Sequence, residues 1–425
     1  MSARPLVSVI IPTHNRIESL LRTLTAFEGQ TFDPREMELI VVADGCSDAT
    51  SSTLRSRPTR LDCELIELSG LGAGAARNAG AEAARGSILL FMDDDIEPAP
   101  DLVAAHVRAH GEHPGRVVMG PYPPSLRGRS SFFRMRTRSW WQSHFDRLSR
   151  PGHRFTYRDL VSGNLSIDAG LFRRIGGFDP SIPGAGGEDY ELGVRLLEAG
   201  VELHFEPEAG AVHHEHETMT LEGSLRRARH EGRAEVVIGR RHPKLRRELF
   251  ADLLEPGHRP GRLLRYLVYR RPSAGRVLAW LARASLPVVE ILRMRHRWRK
   301  LFGMLFAYWR ARGVADTLRT EATLAAYLER GRVVPPTTRD ELLVDLAEGL
   351  DAAERRLDAA RPDSVRLRYG TYELGRVEAV LLAEPLSGRH LRPILAERFS
   401  WPLMRALAHR ATSLAEIGPT HRSAV

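Results

Sequence analysis

The chain is poor in cysteine: Cys46 and Cys63 are the only two among 425 residues. Two thiols are too few for a disulfide framework or a zinc cluster, and the expected compartment is the reducing cytoplasm. Nor does any segment carry the long uncharged apolar run of a membrane span. The first residues pass almost at once into Leu6-Val7-Ser8-Val9-Ile10-Ile11, without the charged, apolar and small-residue layout of an export signal. There is no internal repeat and no long low-complexity tract. With 43% hydrophobic and 27% charged residues, the composition is globular and the length suits two or three domains.

Charge is present but unevenly spread. Between Thr220 and Arg312 there are 23 Lys/Arg against 7 Asp/Glu, a net of +16, which leaves −7 for the rest of a chain whose total is +9. A basic block beside a mildly acidic remainder argues for an anionic partner such as a membrane face, a nucleic acid or a phosphorylated substrate. No recognised nucleic-acid motif accompanies the charge, so nucleic acid is the weakest of these.

The first half alternates strand and helix patterns. Strands are predicted at 6–12, 38–43, 63–68 and 87–92. Between the first two, Ile17, Leu20, Leu21, Leu24 and Phe27 fall on one helical stripe from Arg16 to about Gly29. Asn15 is the expected N-cap, with Glu18 as a capping-box partner. A second helix, Ala73 to Arg85, is rich in Ala and Gly and suited to close packing. This order predicts an α/β fold, a doubly wound, mostly parallel sheet with helices on both faces. Ligands gather at the carboxyl ends of such strands. Further on, strands are expected at Arg116–Gly120, Asn164–Ile167, Val201–Phe205 and Gly210–His213. Helices are expected at Arg134–Arg147 and from Gly186-Gly187-Glu188-Asp189 to about Ala199.

Three polar clusters close the early strands: Thr13-His14-Asn15, Asp44-Gly45 and Asp93-Asp94-Asp95. Adjacent carboxylates at the tip of an apolar strand are costly unless solvated or paired with a cation. Mg²⁺ or Mn²⁺ carrying a diphosphate would neutralise them, because these ions take carboxylate and phosphate oxygens. The bland alternative is a solvated turn. Thr13 and Asn15 stand where a helix N-terminus favours an anion. Asp44 can accept from a ribose hydroxyl or a pyrimidine N–H, although Asp-Gly is also an ordinary turn. Arg77, followed by Asn78, offers a fork to phosphate or carboxylate. Glu188 and Asp189 follow Gly184, Gly186 and Gly187, and one of the two suits a general base that takes a proton from an acceptor hydroxyl. The macrodipole would equally favour acids at that helix start. His213, His214 and His216 end a strand, with His214 and His216 on one face and His213 on the other.

In order along the chain stand Val7 to Asn15, Asp44-Gly45, Ala76-Arg77-Asn78-Ala79-Gly80, Met92-Asp93-Asp94-Asp95, Gly163-Asn164-Leu165-Ser166, Gly176-Gly177-Phe178-Asp179 and Gly187-Glu188-Asp189. Over about residues 5–220 this resembles a family-2 glycosyltransferase with a GT-A fold. The resemblance implies that Pro12, Thr13, Asn15 and Asp44 line the nucleoside pocket and that Arg77 lies near the ribose or diphosphate. It makes Asp93 and Asp95, with Asp94 between them, a DxD motif on the donor and a Mn²⁺ or Mg²⁺ ion. His214 would be the third protein ligand, with His216 the fallback. Asp189 would be the base, Glu188 its neighbour at the sugar, and Asn164 a residue near the reacting sugar. The implied reaction moves a sugar from a nucleoside-diphosphate sugar to an acceptor hydroxyl with inversion, by electrostatic stabilisation of the leaving diphosphate. A lipid-linked or cell-envelope glycan is the acceptor class in view. The aromatic residue that usually precedes the metal-binding His is His213 here, which leaves the ligand open between His213, His214 and His216. A retaining transferase on the same scaffold and a non-catalytic nucleotide- or membrane-binding module are the rival readings. A nucleotidyltransferase would need a Gly-rich basic loop after the first strand, which Thr13-His14-Asn15-Arg16 is not.

The catalytic region is expected to span 1–218, a basic helical extension 219–334 and a region without an evident role 335–425. Val277 to Trp309 mixes apolar residues with Arg283, Arg293, Arg295, Arg297, Arg299 and Lys300, and Trp280, Trp298 and Trp309 recur through it. A cationic, Trp-bearing amphipathic helix points to peripheral attachment at the inner face of the cell membrane; the alternative is a bundle packed on the catalytic domain. Pro335-Pro336 marks a break, and a charged amphipathic helix is expected over Glu341–Ala360.

Overall fold

The computed structural model describes residues 5–125, 131–182, 186–214, 219–329 and 341–416, with side chains as far as 409. The chain forms two compact units, residues 1–145 with 157–333 and residues 146–156 with 334–425.

The first unit is built on a mixed seven-stranded sheet. Its strands are β1 (Val7–Thr13), β2 (Met37–Asp44), β3 (Asp62–Leu68), β4 (Ile88–Met92), β6 (Val117–Met119), β7 (Asn164–Asp168) and β8 (Leu203–Phe205), in the order β3-β2-β1-β4-β7-β6-β8. The first four are mutually parallel, β7 runs antiparallel to both neighbours, and β6 and β8 are parallel. A small ribbon pairs β5 (Ile96–Pro98) with β9 (Ala211–His213). β2 and β4 are buried along their whole length and β1 at all but Pro12. Such burial requires cover on both faces of the sheet, supplied by helices such as α1 (Ile17–Glu28), α3 (Ala73–Ala83) and α4 (Leu102–Glu112).

The topology fixes where a ligand can sit. The chain lays β2 and β3 on one side of β1, then returns to place β4 on the other. The crevice beyond the carboxyl ends of β1 and β4 is therefore the switch point at which open α/β sheets bind ligands. Val7 pairs with Ile88 and Ile10 with Phe91. The same register carried forward sets Thr13 against Asp94, and the Thr13 hydroxyl donates to the Asp94 carboxylate at 2.7 Å.

Residues 219–329 belong to the same unit as the sheet. Helix α8 (Leu221–Arg241) crosses α10 (Arg295–Thr317), with α9 (Pro272–Ile291) packed on α10. The crossing is close because both helices present glycine: a Cβ on Gly232 would lie 2.0 Å from the Arg310 carbonyl oxygen, and one on Gly313 2.0 Å from that of Arg229. Arg229 and Arg233 both grip Asp316 across it, at 2.8 and 2.6 Å. Trp298, Phe302, Leu305, Tyr308 and Val314 form the core beneath. The expected single amphipathic helix over 277–309 is thus two helices, broken at Arg293, whose φ is +55°. Trp298 is core rather than surface.

In the second unit, β10 (Glu341–Asp345) and β11 (Ser364–Tyr369) are parallel, and β12 (Tyr372–Val377) returns antiparallel. Its core includes Val344, Leu357, Val365, Leu367, Leu391 and Phe399. The helix expected from Glu341 begins only at Leu350. Leu342-Leu343-Val344 pairs as a strand instead, and Gly349, at φ +101°, turns the chain between the two.

Candidate active site

The tip of β4 points into the switch-point crevice, and its three carboxylates meet different partners. Asp94 is buried and is held by Thr13 and by Arg16, whose Nη1 lies 3.0 Å from it. Burial raises its carboxyl above the ordinary range; Arg16 opposes that rise and Asp95 adds to it. Asp95 also faces Arg16, at 3.4 Å, and His213, whose Nε2 stands 3.4 Å from its Oδ1. Asp93 is the most open of the three, about a third exposed, and receives Arg77 at 2.7 Å.

Arg77 is the hinge of the arrangement. Its guanidinium is buried, lies 5.4 Å from the centre of the Phe178 ring, and reaches Asp93 with one nitrogen and Glu188, at 3.1 Å, with another. Burial alone would lower its pKa, but Asp93 and Glu188 together hold it above the ordinary value. Among the described residues its Nε has no hydrogen-bond partner. The expected fork to phosphate meets two carboxylates, one just past β4 and one at the start of α7 (Glu188–Glu198).

The residues before α7 are closed down by the extension. At Gly187, with φ +105°, a Cβ would stand 3.1 Å from Ala234 of α8. Glu188 is capped by Arg77 and by the backbone N–H of Gly186 at 2.7 Å. Asp189, next to it, is half-buried, its Oδ1 accepting from the Tyr190 N–H at 2.9 Å. Burial raises its carboxyl, Glu188 adds to the rise, and Arg227 and Arg77 oppose it. The phenol of Tyr122 is also raised, first by burial and then by Asp93 and Asp189 together. One buried phenol therefore senses both the β4 tip and the α7 acid.

The histidines divide differently from the expectation. His213 turns toward Asp95 and packs edge-on against Tyr122 and Trp141, with ring centres 5.7 and 5.6 Å away. The ring of His214 goes to Glu97 at 2.8 Å, while its backbone N–H donates to the Asp95 carbonyl. Strand alternation along β9 sends the two rings to opposite faces. His216 and Gly184 lie outside the described residues.

Three further predicted residues are occupied by the protein itself. Asn15, at φ +55°, is not the cap of α1, whose N-cap position is Arg16; its Oδ1 accepts from the backbone of Ser47 and Asp48 at 2.7 and 3.1 Å. It ties the loop after β1 to the loop after β2, with Pro12 directly before this stretch in β1. The Asp44 carboxylate accepts three backbone N–H groups, from Gly70, Leu71 and Gly72, at 2.6 to 2.8 Å. Asn164 is fully buried and bonded at both ends, to His106 at 2.8 Å and to the Ala209 carbonyl at 2.8 Å. Its side chain faces the interior, not the crevice.

Sequence reasoning missed Arg16, Tyr122, Trp141 and Arg227. Arg16 follows a recognised cluster directly. Tyr122 and Trp141 lie in a loop and a helix whose pattern has no period tied to the cleft, and Arg227 is one arginine in a basic run.

Residues 8–176 match the profile described as "Glycosyl transferase family 2", and residues 143–217 that described as "N-terminal domain of galactosyltransferase". The chain is 33% identical over 278 residues to validoxylamine A glucosyltransferase of Streptomyces hygroscopicus subsp. limoneus, a stretch covering 58% of this chain and 59% of that protein. It is 29% identical over 244 residues to pre-mycofactocin glycosyltransferase of Mycobacterium tuberculosis, covering 56% of this chain and 48% of that protein. The chain thus spans about half to three fifths of the length of these relatives. Among solved structures, mannosyltransferase PcManGT from Pyrobaculum calidifontis in complex with GDP-Man and Mn2+ overlays with a TM-score of 0.46 at 21% identity, covering 75% of this chain and 89% of that one.

Proposed function

We propose that this chain, whose residues 8–176 belong to glycosyltransferase family 2, transfers a sugar from a nucleoside-diphosphate sugar to an acceptor hydroxyl with inversion at the anomeric carbon. The observation that carries the reading is the bridge made by Arg77. It joins the acidic tip of β4 to the acid pair at the start of α7, so a donor held at one lies within reach of a base at the other.

In this reading Asp189 is the base. Glu188 is already committed to Arg77 and the Gly186 N–H, whereas the half-buried Asp189 accepts from the Tyr190 N–H with one of its oxygens. Its raised pKa brings it closer to the working range of a general base. The acceptor oxygen attacks the anomeric carbon as its proton passes to Asp189. The bond from that carbon to the diphosphate oxygen breaks, and the nucleoside diphosphate leaves with the electron pair. Thr13, Asn15 and Asp44 shape the nucleoside end chiefly by holding the loops around it. Arg16 and Arg77 are the cations available to a diphosphate.

Among the described residues no three His, Cys, Asp or Glu side chains stand together as a finished metal cluster. The donor set nevertheless fits a hard divalent ion: two carboxylates, Asp93 and Asp95, and the imidazole of His213, with positions left for phosphate oxygens. Mn²⁺ or Mg²⁺ bound there would supply charge neutralisation to the departing diphosphate. A hydroxyl on a lipid-linked or cell-envelope glycan is the acceptor class this reading favours.

The test is a panel of nucleotide sugars incubated with the full chain and Mn²⁺. Slow release of a nucleoside diphosphate from one donor, and product of inverted anomeric configuration by NMR with an acceptor, are the expected results. Retained configuration would reassign the mechanism, and no release from any donor would favour a binding module.

A further inference from the structure

Helix α9 is apolar on two opposite sides, and the fold uses only one of them. Gly275, Ala279 and Leu286 face inward and are buried. Half a turn away, Val277, Leu281, Val288 and Ile291 form an outward row at helical spacing, flanked by Trp280 and Leu292. All six are exposed, Trp280 at 63% and Ile291 at 80%. Single exposed apolar residues are ordinary, but a continuous row along a twenty-residue helix marks a contact surface.

The charge around this row is mainly positive; the one acid on α9, Glu290, is half-buried and accepts from the Phe132 N–H at 2.7 Å. Arg293, Arg295, Arg297, Arg299 and Lys300 follow the C-terminal end of α9, all exposed, and among the described residues none is in an ion pair with an acid. No Asp or Glu occurs from Ile291 to Ala315. Near the other end stand Arg271, just before α9, and Arg276 within it, while the preceding Arg270 is paired with Glu321 at 2.8 Å. A second copy of the chain pairing through this row, in either direction, would set arginines against arginines, which a self-complementary interface avoids. An apolar row with a cationic border is complementary to a bilayer bearing anionic lipid: the side chains enter the acyl boundary and the arginines meet the headgroups.

We infer that the outward face of α9, with the basic residues from Arg293 to Lys300, docks the protein on an anionic membrane surface. The helix lies along that surface, because its other face is packed into the protein core. Among the described residues no helix is long and apolar enough to cross a bilayer. The inference stands on the extension alone and does not rest on the catalytic reading; nucleoside diphosphate release in solution tests that reading separately.

The experiment is co-sedimentation of the full chain with vesicles of phosphatidylcholine alone and of phosphatidylcholine with about one third phosphatidylglycerol. The protein should pellet with the anionic vesicles, remain in solution with the neutral ones, and be released by salt. Trp280→Ser with Ile291→Ser should weaken vesicle affinity about tenfold, and Arg297→Glu with Arg299→Glu should weaken it at least as much. Both pairs are exposed, so an unchanged thermal midpoint serves as the folding control. Equal binding by wild type and the Trp280/Ile291 variant would overturn the inference. So would equal binding to the two kinds of vesicle, or a change from dimer to monomer in that variant with vesicle binding intact, which would make the row a contact between copies.

Discussion

Asp93 and Glu188 lie far apart in the chain, yet both end on the guanidinium of Arg77, at 2.7 and 3.1 Å. That shared cation turns two separate acidic motifs into the two walls of one cleft. It also gives a buried glutamate a buried cationic partner.

Removing the guanidinium should therefore cost both stability and assembly of the site. Arg77→Met would leave Glu188 buried beside a neutral side chain, and breaking a buried pair from one side typically costs about 3–5 kcal/mol. The expected result is a marked fall in the urea midpoint with an unchanged slope. A double variant, Arg77→Met with Glu188→Gln, should recover part of the loss.

The raised pKa of Asp189 fixes the direction of two pH effects. A base must be ionised, so kcat/KM should fall as pH drops through a value above the ordinary carboxylate range. Stability runs the other way. A carboxyl whose folded-state pKa is raised stabilises the fold at low pH, and that contribution is lost as pH rises through the folded value. Asp189→Asn should consequently gain thermal stability over wild type, with a difference that widens from acid to neutral pH. A constant difference across that range would show that the carboxyl is not perturbed.

Asp44 holds the loop between β3 and α3 by three amide hydrogens. Asp44→Ala strands those donors, and hydrogen bonds to a charged acceptor are each worth about 1.5–3 kcal/mol. The variant should lose stability in thermal melts and also bind nucleotide more weakly. Weaker binding at full stability would mean that the carboxylate contacts the nucleoside instead of the loop.

β1, β2 and β4 were legible because they are buried and read as largely apolar runs, whereas the edge strand β3 is largely exposed; the observed limits of all four fall within a residue of those expected. α4 was not, since His106, His110 and Glu112 interrupt its stripe. His106 is nonetheless fully buried, bonded to Ser166 and Asn164, and burial lowers its pKa to about 4, which keeps the ring neutral. The acidic clusters announced the cleft because carboxylates at strand ends need partners. What the pattern could not reveal was which partner each one takes. Asn15, Asp44 and Asn164 have the residue types of ligand contacts, but the fold spends their polar atoms on its own backbone and core. Arg227 reaches the site from a helix whose charge pattern resembles a solvated surface.

The two histidines make a sharp comparison. With His213 facing Asp95 and His214 facing Glu97, His213→Ala should weaken Mn²⁺-dependent binding of a nucleoside diphosphate by about ten- to a hundredfold. His214→Ala should change it much less. Calorimetric titration with and without Mn²⁺ reads both, and the reverse ranking would return the ligand role to His214.

The most direct measurement compares donor affinity with turnover in Asp189→Asn. The substitution keeps the shape of the site and removes the ability to accept a proton. Donor affinity measured by calorimetry should stay within about twofold of wild type, while transfer to acceptor falls by about a hundred- to ten-thousandfold. Transfer at the wild-type rate with full donor affinity would contradict the account.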